Sequence, residues 1–218
     1  MFERITRQMS SPARTFANEI MVYLHDVLSD NYRFVAKLVG SAAWNTILKD
    51  KNGFFDVDYQ LLLGTNSQEY KDNHFNNPTK IKNDFFNYVN SALKNNKQYK
   101  VENSTTAITV IDKKNKFSID FVIIRVLGNN SEIIRRNNKK YSSINEFTWN
   151  QLPNLSKAYV KFDNLKTDEK QELIEKYVLP RKAKEKAKQE NDPTKKSSCE
   201  VFIEEINNYV ARKRNNRL

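Results

Sequence analysis

The chain has 218 residues, 39% of them hydrophobic, and a formal net charge of +11, enough for one compact unit or a catalytic lobe with a smaller appendage. Its one cysteine, Cys199, excludes an intrachain disulfide, and no apolar run predicts a signal peptide or a membrane span. We therefore expect a soluble, cytoplasmic protein in a reducing compartment, without a membrane partner.

The first part of the chain alternates predicted helices and strands. Ser11 followed by Pro12 favours a helix start, and apolar residues then recur on one helical face as far as Leu28. The predicted elements are, in order, a helix over 11–30, a strand over 32–40, a short helix over 41–48, a strand over 54–63, a helix over 79–92 and strands over 99–103, 106–111 and 117–127. This order predicts an α+β (mixed α/β) fold, with a mixed sheet flanked by helices.

The sequence beyond residue 127 is more polar and basic. It predicts an exposed connection over 128–143 and helices over 167–178, 181–189 and 197–214, so we divide the chain into a catalytic domain, 1–145, and a helical basic region, 146–218. From residue 135 onward, the chain contains 20 Lys and Arg but only 12 Asp and Glu. This excess suits a polyanionic partner such as nucleic acid or a nucleoside triphosphate, although charge on solvated faces is an equal alternative.

Two aspartates interrupt an otherwise apolar strand, FFDVDYQLLL. Residues two apart share a strand face, so Asp56 and Asp58 point the same way, while Val57 and Tyr59 point into the core. Burying carboxylates is costly unless they meet a cation or line a cleft open to water. Asp120 is likewise the one charged residue in the strand segment FSIDFVII.

Three carboxylates on two strands can hold two Mg²⁺ ions about 3.5–4 Å apart, the arrangement used for phosphoryl and nucleotidyl transfer. Ahead of them, Gly40 and Ser41 stand at a predicted strand-to-helix turn. There a glycine lets a phosphate approach the backbone, and the helix N-terminus offers unpaired N–H groups to it.

Gly40-Ser41, Asp56-x-Asp58 and the later Asp120 together resemble the nucleotidyltransferase superfamily of DNA polymerase beta. Its members include CCA-adding enzymes, oligoadenylate synthases, antibiotic nucleotidyltransferases and bacterial cyclic-oligonucleotide synthases. The resemblance covers about residues 10–127, with a looser match to the helical tail. It implies that Gly40 and Ser41 bind a triphosphate, that Asp56 and Asp58 bind two metal ions, and that Asp120 completes the metal site and activates the attacking hydroxyl.

The implied activity is transfer of a nucleoside monophosphate from a nucleoside triphosphate to an acceptor hydroxyl, with two Mg²⁺ or Mn²⁺ ions and release of pyrophosphate. RNA or tRNA, or a second nucleotide, is the expected acceptor. Two alternatives are a cyclic-oligonucleotide (second messenger) synthase of bacterial or phage defence and a non-enzymatic nucleic-acid-binding protein on the same fold. A protein or small-molecule acceptor stays open, and the oligomeric state is not predicted.

The last predicted helix is preceded by Lys195 and Lys196 and begins with the capping box Ser197-x-x-Glu200. A plain helix cap is the simpler interpretation. Lysines before a helix N-terminus also resemble the way in which helical regions of such enzymes bind a triphosphate, so Lys195, Lys196 and Ser197 join the candidate nucleotide-binding residues. Cys199 is predicted to be a small buried residue rather than a nucleophile.

Overall fold

A seven-stranded mixed sheet organises the fold. The computed structural model of the protein describes residues 3–64, 74–128, 130–137, 147–153, 155–189 and 191–215. The strands are β1 (Phe34–Val39), β2 (Phe55–Leu63), β3 (Tyr99–Asn103), β4 (Ala107–Asp112), β5 (Phe117–Leu127), β6 (Asn130–Arg136) and β7 (Phe147–Gln151). Strands β2 and β5 are parallel, and the other pairs along the order β1-β2-β5-β4-β3 are antiparallel. Strand β6 pairs with the end of β5, and β7 pairs with β6.

Two long helices build the main core with the sheet. Helix α1 (Ser11–Leu28) buries the apolar stripe predicted from its sequence, and α3 (Pro78–Leu93) buries Ile81, Phe85 and Val89. Along β2, burial alternates, with every second residue from Phe55 to Leu63 inside. This alternation confirms the prediction that the two aspartates of β2 point away from the core. No helix in the described part of the chain is both long and apolar enough to cross a membrane.

The later helices form a second apolar cluster. They are α4 (Ser156–Asp163), α5 (Thr167–Glu172), α6 (Leu179–Ala187) and α7 (Ser198–Asn215), and a π-helical segment, Leu173–Val178, joins α5 to α6. Phe162, Leu173 and Ile206 are buried in this cluster. Trp44 follows the short helix α2 (Gly40–Ala43) and stacks on Phe202 with ring centroids 5.6 Å apart. This contact packs the later helices against the part of the chain that contains the sheet.

Two segments differ from the sequence-based prediction. The short helix predicted to reach residue 48 ends at Ala43, because Asn45 takes a left-handed backbone conformation (φ 55°) and Thr46 N–H donates to the Ser41 carbonyl at 2.8 Å. The predicted connection over 128–143 contains β6, in which Ile134 is fully buried. The predicted domain boundary near residue 145 lies outside the described residues.

Lys82 is a fully buried lysine in the second turn of α3. Its Nζ donates to the Thr106 carbonyl at 2.6 Å and lies 5.7 Å from the centroid of the Phe147 ring, on which Arg136 also stacks. Burial, and then the charge of Arg136, lower the pKa of Lys82 to about 7, while Asp120 acts in the opposite direction. The amine is therefore largely uncharged at alkaline pH.

This burial predicts a distinctive pH dependence of stability. Because the folded-state pKa of Lys82 is about 7 and the ordinary value is 10.5, the unfolded chain binds more protons between these values, and the free energy of unfolding should rise with pH there. We expect Lys82→Met to reduce the slope of this rise in urea unfolding measured at several pH values from 7 to 10. Lys94→Met, at the exposed C-terminal end of the same helix, should keep the wild-type slope. Equal slopes for both variants would contradict the prediction.

Candidate active site

The three predicted carboxylates project from one face of the two central strands. Asp56 and Asp58 lie on β2, and Asp120 lies on β5. Asp58 and Asp120 are directly opposite each other in the parallel pair, so their side chains leave the same face of the sheet. Asp56 is exposed, whereas Asp58 and Asp120 are half-buried.

Burial and neighbouring carboxylates raise the pKa of Asp58 and of Asp120. Burial, followed by repulsion from Asp120 and Asp56, raises the pKa of Asp58 to about 6, and Lys182 and Lys186 oppose that shift. Burial also raises the pKa of Asp120, against a hydrogen bond from Thr109 that lowers it. Closely spaced like charges of this kind are relieved by a bound cation.

The donor chemistry fits Mg²⁺ or Mn²⁺, which prefer carboxylate oxygen as a ligand. Within the described ranges, however, no three His, Cys, Asp or Glu side chains are close enough together to hold a metal ion as they stand. The residues suit such an ion by type, face and charge, but the structure presents no ready-made cage of ligands.

Gly40 begins α2 directly against Asp58. Its φ of +62° is in the left-handed region that glycine tolerates best, and a Cβ built on it would lie 2.5 Å from Oδ2 of Asp58. Two reasons therefore favour glycine at this position: the left-handed backbone conformation, and the close approach of the backbone to the Asp58 carboxylate. Ser41 follows in the first turn of this helix.

Gly40→Ala should disturb this carboxylate, and Gly128→Ala provides a matched control. Both glycines have a φ near +60°, but a Cβ at Gly128 meets nothing within 4 Å. Both variants should lose about 1 kcal/mol of stability from backbone strain. In the nucleotidyl transfer that the sequence predicts, Gly40→Ala should in addition reduce turnover by about 100-fold, because displacing Asp58 misplaces the reacting groups. Chemical denaturation and turnover assays measure the two effects, and equal turnover in the two variants would contradict the prediction.

Lys182 on α6 connects the helical region to the glycine-serine turn. Its Nζ donates to Ser41 Oγ at 2.7 Å, to the Thr46 carbonyl at 2.6 Å and to Thr46 Oγ1 at 3.2 Å. The side chain is buried, and burial, then the nearby Lys186, lower its pKa to about 7, against the attraction of Asp58. One turn further along the helix, Lys186 donates to the Leu48 carbonyl at 2.8 Å.

A basic pocket of about 670 Å³ opens between α6, the start of α7 and β2. It extends to Asp56 and also contains Asp50 and Glu185. Its lysines are Lys51, Lys182, Lys186, Lys188, Lys195 and Lys196. Ser197 and Ser198 line it at the N-terminal end of α7, where helix N–H groups favour an anion. A chain of phosphates is the kind of ligand that this lining suits.

The fold is similar to solved structures at low sequence identity. No protein-family model matches the chain, and no curated protein matches it. The CdnE c-di-GMP synthase from Capnocytophaga granulosa, which is STING-associated, superposes with a TM-score of 0.60 at 18% identity, over 94% of this chain and 61% of its own. Escherichia coli DncV, bound to 3′-deoxy GTP, gives 0.60 at 14% identity, over 94% and 54%. Vibrio cholerae DncV cyclic AMP-GMP synthase, with the linear intermediate 5′ pppA(3′,5′)pG, gives 0.58 at 13% identity, over 88% and 52%.

The chain has a nucleotidyltransferase fold. The fold predicted from its motifs is confirmed, since these neighbours belong to the superfamily of DNA polymerase beta. The chain spans only about half to three fifths of the length of each neighbour described above.

On this nucleotidyltransferase fold, the predicted site residues fall into two groups that meet at Asp56. The first group consists of Gly40 and Ser41 at the start of α2 and of the three aspartates on the two central strands. Lys195, Lys196 and Ser197 line the basic pocket, and Ser197 also forms the predicted capping box, with its N–H 2.8 Å from Glu200 Oε2. The prediction that Cys199 is buried is wrong, because this residue is exposed in the first turn of α7, before the buried face of the helix begins at Val201.

The sequence interpretation missed Lys182 and Lys186. Both belong to the run RKAKEKAKQ, which has the composition of a solvated helix. Their spacing of four residues places them on one helical face, and this spacing could have indicated a shared binding surface. The contact with Ser41 joins residues 141 positions apart in the chain, and nothing local indicates it.

Proposed function

We propose that the protein is a metal-dependent nucleotidyltransferase that transfers a nucleoside monophosphate from a nucleoside triphosphate to an acceptor hydroxyl. The observation that carries this proposal is the placement of Asp58 and Asp120 side by side on the central strands, with Gly40 packed against Asp58. The neighbours of the same fold, which have been solved with GTP, 3′-deoxy nucleotides or a linear dinucleotide, support nucleotide binding at such a site.

The triphosphate lies in the basic pocket, with its reactive end at the aspartates. The lysines of the pocket balance its negative charge, and the start of α2 offers backbone N–H groups. The hydrogen bond from Lys182 Nζ to Ser41 Oγ holds Ser41 in place. The α-phosphate is then beside Asp56 and Asp58, where the pocket meets the sheet.

Asp56, Asp58 and Asp120 would hold the Mg²⁺ or Mn²⁺ ions. Such ions lower the pKa of an attacking hydroxyl and neutralise the charge of the leaving pyrophosphate. The acceptor oxygen forms a bond to the α-phosphorus as the bond from that phosphorus to the bridging oxygen breaks, and pyrophosphate leaves with the electron pair. Asp120, which accepts a hydrogen bond on Oδ1 from Thr109, is the base that takes the proton of the hydroxyl.

A second nucleotide is a better-supported acceptor than RNA or tRNA. Two of the neighbours are synthases of cyclic dinucleotides. We therefore propose an oligonucleotide or cyclic-oligonucleotide product.

The test is incubation with each α-labelled nucleoside triphosphate, singly and in pairs, with Mg²⁺ or Mn²⁺, in the presence and absence of total RNA. We expect a small labelled product whose phosphate resists alkaline phosphatase, because it has become a phosphodiester. Asp58→Asn, which keeps the side-chain size, should abolish it. Label in RNA alone would favour the RNA-acceptor alternative, and no product under any condition would contradict the enzymatic proposal.

A further inference from the structure

Two of the three carboxylates accept a hydrogen bond from a hydroxyl on the neighbouring strand. Ser118 Oγ donates to Asp56 Oδ1 at 2.5 Å, and Thr109 Oγ1 donates to Asp120 Oδ1 at 2.6 Å. Both pairs are opposite residues in the sheet: Ser118 faces Asp56 across the parallel pair β2–β5, and Thr109 faces Asp120 across the antiparallel pair β4–β5. Strand register thus places one hydroxyl beside each of these carboxylates.

Stability alone does not account for the Ser118 contact. Asp56 is exposed, so water can solvate its carboxylate, and the net gain from replacing water by a hydroxyl is about 1 kcal/mol or less. The Thr109 contact has more structural value because Asp120 is half-buried. The two contacts therefore differ in burial but share the same geometry and the same kind of acceptor.

Orientation is what both contacts provide. The last torsion of an aspartate side chain is broad, so its rotamer does not fix where the two oxygens point. A hydrogen bond to Oδ1 restrains that torsion, and Oδ2 takes no part in the contact. Asp58 is confined differently, because the main chain of Gly40 lies against its Oδ2.

We propose that Ser118 and Thr109 are positioning residues, which restrain one oxygen of Asp56 and one of Asp120 so that the other oxygen can bind metal and support transfer. The inference rests on the proposed function. It assigns no contact with the substrate to either hydroxyl. Removing a partner that orients a metal ligand commonly lowers metal affinity or activity by about 10- to 100-fold.

The experiment compares Ser118→Ala, Thr109→Val and Thr109→Ser with the wild type. Mn²⁺ binding is measured by electron paramagnetic resonance without nucleotide, and kcat and KM are measured in the transfer assay. We expect Ser118→Ala and Thr109→Val each to lower Mn²⁺ affinity and kcat by about 10- to 100-fold. KM for the triphosphate should change little. Thr109→Ser, which restores the hydroxyl, should recover most of both losses.

Thr148→Val, at an exposed position of β7, is the matched control, since it removes a threonine hydroxyl from the same sheet away from the aspartates. It should leave Mn²⁺ binding and turnover unchanged. Wild-type Mn²⁺ affinity in Ser118→Ala and Thr109→Val, or equal loss in the Thr109 valine and serine variants, would overturn the inference. A wild type that binds Mn²⁺ but transfers no nucleotide would contradict the proposed function and leave the Mn²⁺ comparison intact; a wild type that binds no Mn²⁺ would overturn the inference.

Discussion

Asp120→Asn is expected to reduce nucleotidyl transfer by more than about 100-fold, a larger loss than removal of an orienting partner. The substitution keeps the size of the side chain and its ability to accept from Thr109, but it removes a charge that repels Asp58. In metal-free buffer the melting temperature should therefore be equal to that of the wild type or higher. Triphosphate binding should persist, because the basic pocket is unchanged.

Asp112→Asn distinguishes a catalytic aspartate from a structural one. Asp112 on β4 is buried and accepts hydrogen bonds from the side chains of Gln98 and Asn115, both at 2.8 Å. Its substitution should lower the melting temperature and leave turnover per folded molecule unchanged. Thermal unfolding and turnover measured on both variants give the comparison. Near wild-type turnover in Asp120→Asn, or its failure to fold, would remove Asp120 from the proposed catalytic set.

Lys182→Met is expected to weaken triphosphate binding by about 10- to 100-fold, the scale expected when the hydrogen bonds that hold the glycine-serine turn are lost. Methionine replaces most of the buried volume but leaves Ser41 Oγ and the Thr46 carbonyl without the amine that joins them. The glycine-serine turn then loses its attachment to α6. Calorimetric titration with ATP and with GTP, in Mg²⁺ and well below the melting temperature, measures the change.

Lys184→Met is the control for this prediction. Lys184 is exposed on the same helix, and its substitution removes one positive charge without touching the turn. If affinity falls equally in both variants, general charge rather than the position of Lys182 determines binding. If neither variant changes affinity, the pocket is not the triphosphate site.

The sequence allowed the central part of the fold to be predicted because its patterns are local. The alternation of Asp56, Val57 and Asp58 determines which side chains leave the core, and it requires no knowledge of neighbouring strands. Strand β6 was missed because Ile134 is its one fully buried residue, so polar composition dominates the segment. A strand covered mainly by pairing with other strands leaves little periodicity in its own sequence.

Contacts across the fold could not be predicted in the same way. The hydrogen bond from Thr109 to Asp120 depends on the register of β4 against β5, and a shift by one residue would place the hydroxyl on the opposite face. The bond from Lys182 to Ser41 depends on how the helical region packs on the sheet. In both cases the residue type is ordinary, and only its three-dimensional neighbour gives it a role.

The π-helical segment Leu173–Val178 makes the length of its helix as important as its composition. The helix continues without a break from α5 to α6, and each residue inserted or deleted rotates everything beyond it by about 100°. Deleting one residue from the segment would therefore turn Lys182 and Lys186 away from the groups that they now contact, although every lysine would remain in the sequence. A change of spacing here would act on the pocket as a substitution of both lysines does, and a comparison of residue types alone would overlook it.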